Sequence, residues 1–308
     1  MEDIKAIDIM NYPTQVKGTG YDFNKWEEWA HMARTTFRPF FPKGRFPQTE
    51  EELKEHKHLY GTVFYPYASI EEFIKAMDDA GYDKVCISAV KMWSYRKHFG
   101  LIFDFSIDYV NEMVKKGNGR IIGAAGYNPF RIEESLQDIE KAVKEYGFKF
   151  VYAHSQGFGI PFNDRKMYPL YGLCSSLKVP VSLQAGHSAE PLPSWVGNPM
   201  SIDEVAIDFP DLKINLSHTG YPWITEWIDL VWKHTNVYGD ISAYNPNNLD
   251  PELIKFMLSG RGNRKVMWGS NGMGLARGKQ QLMEMEMKKD EYRQNILRDN
   301  AIRFFGLE

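Results

Sequence analysis

The sequence predicts a (β/α)8 barrel, with eight parallel strands inside and helices outside, built as a single domain over residues 1–308. Three observations predict this fold. Short apolar segments and amphipathic helical segments alternate eight times along the chain. The apolar segments are nearly continuous, which is typical of strands that are covered on both faces. No GxGxxG motif follows the first strand, which argues against a dinucleotide-binding sheet.

The eight predicted strands are bounded mostly by turn residues. In chain order they span residues 6–11, 84–90, 120–127, 149–154, 179–184, 213–218, 237–242 and 265–269. The cores of three of them, at 85–87, 150–152 and 181–183, are mostly apolar. In such a barrel the carboxyl ends of the strands meet at one face, where these folds carry their chemistry.

Amphipathic helices are predicted between the strands and at the end of the chain. They span residues 69–80, 133–146, 201–209, 223–234 and 290–305. Ser201 with Glu204 three residues later has the spacing of a capping box, so we expect the helix at 201–209 to begin there. The last helix is expected to cover the outside of the barrel.

Residues 14–68 interrupt the alternation between the first strand and its helix. The segment is rich in aromatic residues, proline and charge, as at 38–42 and 65–67. An insertion of this length after a barrel strand commonly shapes the pocket, so we expect it to cap the barrel mouth. A loose solvated loop is the alternative, and the aromatic content disfavours it.

Composition limits the function classes. The net charge is −3 and the pI is about 6.3, so charge gives no support for a nucleic-acid or anionic-membrane partner. Cys86 and Cys174 stand alone and are interpreted as reduced core thiols. No apolar run approaches about 18 residues, and no signal segment is recognised. We therefore expect a soluble cytoplasmic protein with a small-molecule substrate.

Polar residues follow most of the predicted strands. His218 ends the sixth strand just before a Gly and a Pro, which holds a titratable imidazole at the barrel mouth. The other candidates are Tyr12, His154, Gln184, His187, Asp240 and Asn271.

These residue types suit proton transfer and oxyanion binding. His218 and His187 are candidates for acid–base work, and Tyr12 offers a phenol donor. Gln184 and Asn271 offer amide N–H groups to an oxyanion. Asp240 is interpreted as the partner that orients one imidazole; a carboxylate bonded only to nearby backbone is the alternative. For the histidines, the alternative is a hydrogen-bonded residue lining the mouth.

The segment after the second strand is cationic and aromatic. Trp93 and Arg96 in this segment suit a planar or carboxylated substrate, with Arg96 as a bidentate clamp. A solvated loop is the alternative reading of the same charges.

A series of short motifs resembles one known family. They are ID (7–8), MYPLY (167–171), VPV (179–181), SHTGYPW (217–223), KHTNVY (233–238), KVMWGS (265–270) and NAIRFFG (300–306). Together and in this order they resemble the amidohydrolase superfamily, in the branch of the aminocarboxymuconate-semialdehyde decarboxylase relatives.

The resemblance implies a divalent metal held by His-x-His after the first strand, a histidine after the fifth and sixth strands, and an aspartate after the eighth. That aspartate commonly handles the proton as well. On this chain the five positions are Met10, Tyr12, Gln184, His218 and Asn271, so four of the five have changed.

One imidazole with two amides, a phenol and a thioether falls short of the ligand set of a zinc site. We therefore expect no tightly bound metal and no other cofactor, with Met10 and Gln184 lining a substrate site instead. A shifted site that binds a divalent ion such as Zn²⁺ through His154, His187 and His218 is the alternative.

The resemblance and the polar strand ends together predict an enzyme. We expect a hydrolase or C–C lyase acting on a small cyclic or carboxylated substrate by His and Tyr acid–base chemistry. A metal-dependent hydrolase or decarboxylase with the shifted histidine site is one alternative. A non-catalytic barrel that serves as a binding or scaffold protein is the other. The resemblance also suggests a homodimer.

Overall fold

The central sheet has eight parallel strands in chain order. The computed structural model describes residues 4–307. The sheet strands are β1 (Ala6–Asp8), β2 (Tyr82–Ser88), β5 (Ile121–Gly126), β6 (Phe150–Ala153), β7 (Val181–Gln184), β8 (Ile214–Ser217), β9 (Val237–Asp240) and β10 (Val266–Met267). Each pairs in parallel with the next. All eight predicted strands are confirmed.

The first and last strands meet through hydrogen bonds at their ends. The backbone N–H of Ile9 donates to the carbonyl of Trp268 at 3.2 Å. The buried Asp8 carboxylate accepts the N–H groups of Ser270 at 2.9 Å and Met10 at 3.2 Å. Burial raises the pKa of Asp8 to about 6. These contacts join β1 to the end of β10, and the predicted (β/α)8 fold is confirmed.

Two further strands form a hairpin that the sequence analysis did not predict. They are β3 (Lys91–Trp93) and β4 (Leu101–Asp104), which pair antiparallel between β2 and the next helix. Since each has at most four residues, neither carries a periodicity long enough to recognise.

The helices surround the sheet. They are α1 (Glu27–Arg34), α2 (Glu50–Glu55), α3 (Ile70–Asp79), α4 (Ile107–Lys116), α5 (Ile132–Lys144), α6 (Tyr168–Leu177), α7 (Ile202–Asp208), α8 (Ile224–Lys233), α9 (Pro251–Met257), α10 (Ala276–Glu284), α11 (Asp290–Gln294) and α12 (Asn300–Phe305). A π-helical turn, Asn295–Asp299, joins α11 to α12. The helices predicted at 69–80, 133–146, 201–209, 223–234 and 290–305 are confirmed in type, with small differences at their ends.

The predicted capping box at Ser201 is wrong. A 3-10 turn, Pro199–Ser201, precedes α7, so Ser201 already has helical backbone angles (φ −68°, ψ −7°) and cannot act as an N-cap. Its hydroxyl instead donates to the carbonyl of Asn198 at 3.1 Å, and the Asn198 side chain accepts the N–H of Met200. The Glu204 carboxylate binds the side chain of Asn163.

Residues 14–68 form an ordered aromatic cluster with α1 and α2. The rings of Phe46 and Phe64 stack with centroids 4.7 Å apart, and Phe23 and Phe41 pack on Phe64. The segment is anchored to loops at the carboxyl ends of the strands. The N–H of Val63 donates to the carbonyl of Gly272 at 2.9 Å.

The remaining structural expectations concern thiols and membranes. Cys86 and Cys174 are buried free thiols, as predicted. Within residues 4–307, no helix has the length and apolarity needed to cross a membrane.

Candidate active site

His218 follows β8 in a backbone conformation that few residues adopt. Its φ is +71°, in the left-handed region, and it is 7% exposed. The backbone N–H of His218 donates to Asp240 Oδ1 at 2.9 Å. Asn271, after β10, also has a positive φ, +55°. Strained backbone at two strand ends of the same face is typical of a functional site.

A hydrogen-bonded chain fixes the protonation of His218. The Ser242 hydroxyl donates to Asp240 Oδ1, and Ser242 Oγ lies 2.7 Å from His218 Nδ1. Since the hydroxyl proton is already directed to the carboxylate, Ser242 Oγ accepts from Nδ1–H. This pattern assigns the neutral tautomer with an unprotonated Nε2. Nε2 of His218 therefore carries a lone pair that can accept a proton.

The surroundings of His218 also favour its neutral form. Burial lowers the pKa of His218, and the neighbouring His187 lowers it further, while Asp240 opposes both effects. At neutral pH the imidazole is uncharged and able to accept a proton at Nε2.

Asp240 is held in the barrel interior by four donors. Besides the N–H of His218 and the hydroxyl of Ser242, its carboxylate accepts the N–H of Ser242 at 2.9 Å and Asn215 Nδ2 at 2.7 Å. Asn215 also donates to Ser182 Oγ at 2.9 Å. Asp240 thus accepts backbone N–H groups and, through Ser242, also contacts the His218 ring. It therefore combines the backbone contacts of one interpretation with the link to an imidazole of the other.

Tyr12 and Asn271 are brought together from the first and last barrel strands. The Tyr12 hydroxyl donates to Asn271 Oδ1 at 3.0 Å. Burial raises the pKa of Tyr12, and the negative charge of Glu190 raises it further. The phenol is therefore a proton donor throughout the neutral range.

Gln184 and Tyr152 form a second phenol–amide pair. The Tyr152 hydroxyl, which is fully buried, donates to Gln184 Oε1 at 2.9 Å. This contact turns the amide oxygen toward Tyr152 and leaves the Gln184 amide N–H groups as donors.

His154 and His187 lie in the same electrostatic environment as His218. Gly157 N–H donates to His154 Nδ1 at 2.9 Å, and burial, with a smaller effect of His218, lowers the pKa of His154 to about 3. His187 is half-buried, with Nε2 3.4 Å from the Tyr244 hydroxyl, and burial lowers its pKa. All three imidazoles are thus uncharged near neutrality.

The donor set at the family metal positions does not fit a catalytic ion. Tyr12 and Asn271 bond each other, Gln184 Oε1 accepts from Tyr152, and His218 Nδ1 binds Ser242. No anionic ligand stands at these positions. Across residues 4–307, no group of three or more His, Cys, Asp or Glu is arranged to hold a metal, which includes the shifted set His154, His187 and His218.

Three predicted binding residues make contacts with protein groups. Met10 is buried and lies 3.1 Å from where a Cβ on Gly269 would stand, so it packs at the seam of the barrel. Trp93 packs against Phe99, Phe130 and Phe158. Arg96 is exposed on the hairpin, and its backbone N–H donates to Glu28 Oε1 at 3.2 Å. None of these contacts joins Trp93 or Arg96 to the imidazoles.

The structure adds residues that the sequence analysis missed. Ser242 links Asp240 to His218, and Tyr152 holds Gln184. Glu190, in the loop after β7, and Glu28, in α1, influence the tyrosines at the mouth through their charge. Glu190 lies three residues after the candidate His187, so its place in the same strand-end loop could have marked it as a further candidate. Glu28 lies in the insertion, where periodicity gives none.

A cavity of about 410 Å³ lies elsewhere, inside the insertion. Its walls include Lys17, Tyr21, Phe46 and Phe64. No histidine lines this cavity, so it is separate from the imidazoles at the strand ends.

Comparisons with known proteins place this geometry in context. A family model described as amidohydrolase matches residues 67–307. A curated relative, 2-amino-3-carboxymuconate-6-semialdehyde decarboxylase from Dictyostelium discoideum, is 22% identical over 234 residues, and the match covers 65% of this chain and 65% of the relative. The match therefore spans less than two thirds of that relative's length.

Solved structures share the fold over nearly the whole chain. An uncharacterised TIM-barrel protein from Bordetella bronchiseptica has a TM-score of 0.74 at 20% identity, with 99% of both chains covered. A manganese-bound 5-carboxyvanillate decarboxylase from Novosphingobium aromaticivorans has a TM-score of 0.64 at 16% identity, covering 98% of this chain and 97% of that one. A 2,6-dihydroxybenzoate decarboxylase from Rhizobium has a TM-score of 0.65 at 14% identity, with 99% of both covered.

Proposed function

The chain belongs to the amidohydrolase family, and from that premise we propose a lyase or hydrolase that acts on a small cyclic or carboxylated organic substrate. The chemistry is carried by His218 as base and Tyr12 as proton donor to substrate oxygen, without a tightly bound metal ion. The family match and the decarboxylase relative support an enzyme, and the relative's name favours a decarboxylase-like lyase.

One observation carries this proposal: the chain from Asp240 through Ser242 to His218. It leaves Nε2 unprotonated on an imidazole that burial keeps neutral. A general base at this position contributes about 10²–10⁴-fold to a rate. Metal-binding histidines are oriented in the same way, so what favours a base here is that the other four family positions carry no anionic or imidazole side chain.

The surrounding donors suit the charge that such a base generates. When His218 Nε2 takes a proton from a substrate hydroxyl or from water, negative charge develops on substrate oxygen. The Gln184 amide N–H groups are available to receive it, and the Tyr12 hydroxyl can do so by exchanging its bond to Asn271 Oδ1 for one to the substrate. His187, neutral and half-buried beside Tyr244, is a second proton carrier at the rim.

The metal-free assignment rests on ligand chemistry at the five family positions. The manganese of the 5-carboxyvanillate decarboxylase belongs to that protein. Here Met10, Tyr12, Gln184 and Asn271 supply no anion, and three of them hydrogen-bond to protein groups. A donor set this weak holds a divalent ion loosely, and the proposed chemistry does not use one. We therefore expect chelation to leave the activity intact.

The insertion is proposed to close the mouth of the barrel as a cap. It bonds to the loop after β10 through Val63 and to the hairpin through the Tyr21 hydroxyl, which donates to the carbonyl of Ile102 at 2.7 Å. Closure of this kind would exclude water from a site that uses uncharged donors. The homodimer remains a prediction from the family resemblance alone.

A turnover screen with matched variants tests the proposed function. The substrates are cyclic diketones, lactones and hydroxybenzoates, assayed before and after exhaustive chelation. His218→Ala should lower kcat by about 10²–10⁴-fold, and Tyr12→Phe should lower it with little change in stability. His234→Gln is the control, because His234 binds Asp203 at the opposite end of β9.

Three outcomes would contradict the proposal. Near-native turnover by His218→Ala would remove that residue from the mechanism. Loss of all activity on chelation, with recovery on adding zinc or manganese, would restore the metal-dependent alternative. A well-folded protein that binds these compounds and turns over none of them would instead support the binding-protein alternative.

A further inference from the structure

The insertion contains a cavity that the proposed reaction does not use. Its volume is about 410 Å³, and the residues that line it in the described part of the chain all lie between Thr14 and Pro66. Protein sites for small molecules have volumes of about 300–1,000 Å³ and combine apolar walls with a few polar groups. The cavity therefore has the size of a ligand site, and the chemistry of its walls determines which ligand fits.

Four aromatic rings line the cavity, those of Tyr21, Phe23, Phe46 and Phe64. The rings of Phe46 and Phe64 stack with their centroids 4.7 Å apart and their planes 13° from parallel. The centroid of Phe23 lies 5.6 Å from that of Phe46 and 5.4 Å from that of Phe64. The Tyr21 and Phe23 centroids are 4.9 Å apart. Because each ring is held by its neighbours, the walls form a preformed surface on which another aromatic ring can pack.

Thr14 adds a hydroxyl that has no partner in the protein. Thr14 is 4% exposed and lines the cavity, and its Oγ1 makes no hydrogen bond within residues 4–307. The Tyr21 hydroxyl, by contrast, donates to the carbonyl of Ile102 at 2.7 Å and accepts Nε1–H of Trp29 at 2.6 Å. A buried hydroxyl without a partner is unfavourable in the free protein, so Thr14 is available to a polar group of a ligand.

Two opposite charges stand at the exposed edge of the cavity. Lys17 and Asp22 both line it, and both are exposed. Within residues 4–307 neither forms an ion pair, with the other or with another side chain. The backbone N–H of Lys17 donates to the carbonyl of Tyr67 at 2.9 Å, and Asp22 Oδ1 accepts the N–H of Asn24 at 2.9 Å. The Lys17 ammonium group and Asp22 Oδ2 are therefore available to a ligand that carries both charges.

We propose that this cavity binds a small aromatic zwitterion such as an aromatic amino acid, with its ring against the aromatic walls. The carboxylate of the ligand binds the Lys17 ammonium group, and its ammonium group binds Asp22. An aromatic acid without an ammonium group would bring a like charge toward Asp22, and an aromatic amine would do so toward Lys17. The zwitterion is therefore the class that complements both charges. The Thr14 hydroxyl supplies one further hydrogen bond.

The cavity is close to the candidate active site in the chain, although it is separate from it. Thr14 follows Tyr12 by two residues, in the 3-10 turn Pro13–Gln15. Val63, which also lines the cavity, donates its N–H to the carbonyl of Gly272 at 2.9 Å. A bound ligand therefore contacts the segments that anchor the insertion at the barrel mouth. Binding there involves no covalent step and does not depend on the proposed reaction.

Isothermal titration calorimetry with three matched probes tests the proposal. L-Phenylalanine carries both charges, 3-phenylpropanoate lacks the ammonium group, and 2-phenylethylamine lacks the carboxylate. We expect saturable binding of L-phenylalanine, and binding of each singly charged probe that is about 3- to 10-fold weaker because one charged contact is lost. Absence of saturable L-phenylalanine binding at millimolar concentration would overturn the proposal. Binding of a singly charged probe as tight as that of L-phenylalanine would also overturn it.

Substitutions at the cavity wall assign each contact. Lys17→Gln should weaken binding of L-phenylalanine and 3-phenylpropanoate by about 3- to 10-fold without weakening that of 2-phenylethylamine. Asp22→Asn should weaken L-phenylalanine and 2-phenylethylamine by a similar factor without weakening 3-phenylpropanoate. Asparagine still caps the turn that Asp22 begins, so the insertion should fold. Thr14→Val keeps the side-chain shape and should weaken L-phenylalanine. Lys25→Gln is the control, because Lys25 is an exposed lysine nearby that does not line the cavity.

The same titrations show whether the probe binds in the cavity or at the strand ends. L-Phenylalanine binding that Lys17→Gln and Asp22→Asn leave unchanged would place the amino acid outside the cavity and reject the proposal. His218→Ala should bind L-phenylalanine as the native protein does, and loss of binding in that variant would reject the proposal as well. Turnover by His218→Ala tests the proposed function separately, so either proposal can fail while the other stands.

Discussion

At the scale of single residues, the central feature is the placement of one proton. His218 could be predicted because a histidine between an apolar strand and Gly220 stands at the barrel mouth. Ser242 could not, because its role depends on the left-handed turn at His218 that brings Nδ1 to Ser242 Oγ. A serine two residues beyond Asp240 has no spacing signal of its own. The sequence thus predicted which residue types stand at the strand end, but not how the His218 ring is oriented.

The positions of Glu190 and Glu28 near the barrel mouth also could not be predicted from the sequence. Both were absent from the predicted site, because charged residues in loops and insertions are most often solvated. Glu28 comes from α1, far from the barrel strands in sequence, and only the folded insertion brings it to Ser94. Contacts of this kind depend on tertiary packing and leave no local pattern.

His154 should make the protein sensitive to acid. Its folded pKa is about 3 against 6.5 in the unfolded chain, so the unfolded state binds the proton first. The stability from neutral His154 is complete above about pH 6.5 and is lost as pH falls toward 3. At about 1.4 kcal/mol per pH unit, the loss by pH 4.5 is about 2–3 kcal/mol.

Urea unfolding of native protein and His154→Gln at pH 7.5 and 4.5 measures this effect. The variant should lose about 2–3 kcal/mol less free energy of unfolding between the two pH values. Asp8, with its pKa raised to about 6, acts in the opposite direction. It is present in both proteins, so the difference isolates His154. Equal losses in the two proteins would contradict this account.

At the scale of elements, periodicity predicted the regular parts and failed at the short ones. The eight strands and the main helices carry runs long enough to recognise. The hairpin of β3 and β4 is too short, and it moves Trp93 into an aromatic cluster with Phe99 and Phe130. The capping box at Ser201 failed because a 3-10 turn had already begun the helical backbone.

The packing of β9 against α8 gives a prediction at this scale. A Cβ on Gly239 would lie 1.9 Å from Trp227 Cζ2. Trp227 is fully buried, and its Nε1 donates to the carbonyl of Leu216 at 3.2 Å, so the ring cannot retreat freely. We expect Gly239→Ala to lower the free energy of unfolding by about 1–3 kcal/mol or more.

Gly172→Ala is the matched control. Gly172 is an exposed residue of α6, and a Cβ there meets nothing within 4 Å. This change should stabilise the protein by about 0.5–1 kcal/mol, because alanine is the better helix former. Chemical denaturation of the two variants checks both signs. Equal stability for both would mean that the Trp227 contact does not restrict β9.

At the scale of the whole molecule, the fold and the site are predictable to different degrees. The barrel follows from alternating strands and helices, and it closes where Asp8 bonds Ser270. The strand ends could be named from the sequence, including Tyr12, Gln184 and Asn271. Their pairing with one another could not, because it depends on which side chains converge across the mouth.

We propose that the family barrel is kept here while uncharged hydrogen-bonding groups stand at the position that holds the ion in relatives. The fold constrains where strand ends point, while the residues at those ends set the chemistry. Tyr12 with Asn271, and Gln184 with Tyr152, occupy the space in which anionic and imidazole ligands would otherwise be expected.

Metal content per chain is the most direct test of that claim. Protein expressed in medium supplemented with zinc and manganese, then dialysed without chelator, is analysed by inductively coupled plasma mass spectrometry. The account predicts well below one ion of either metal per chain, with no difference between native protein and His218→Ala. About one ion per chain in the native protein, lost in His218→Ala, would contradict it.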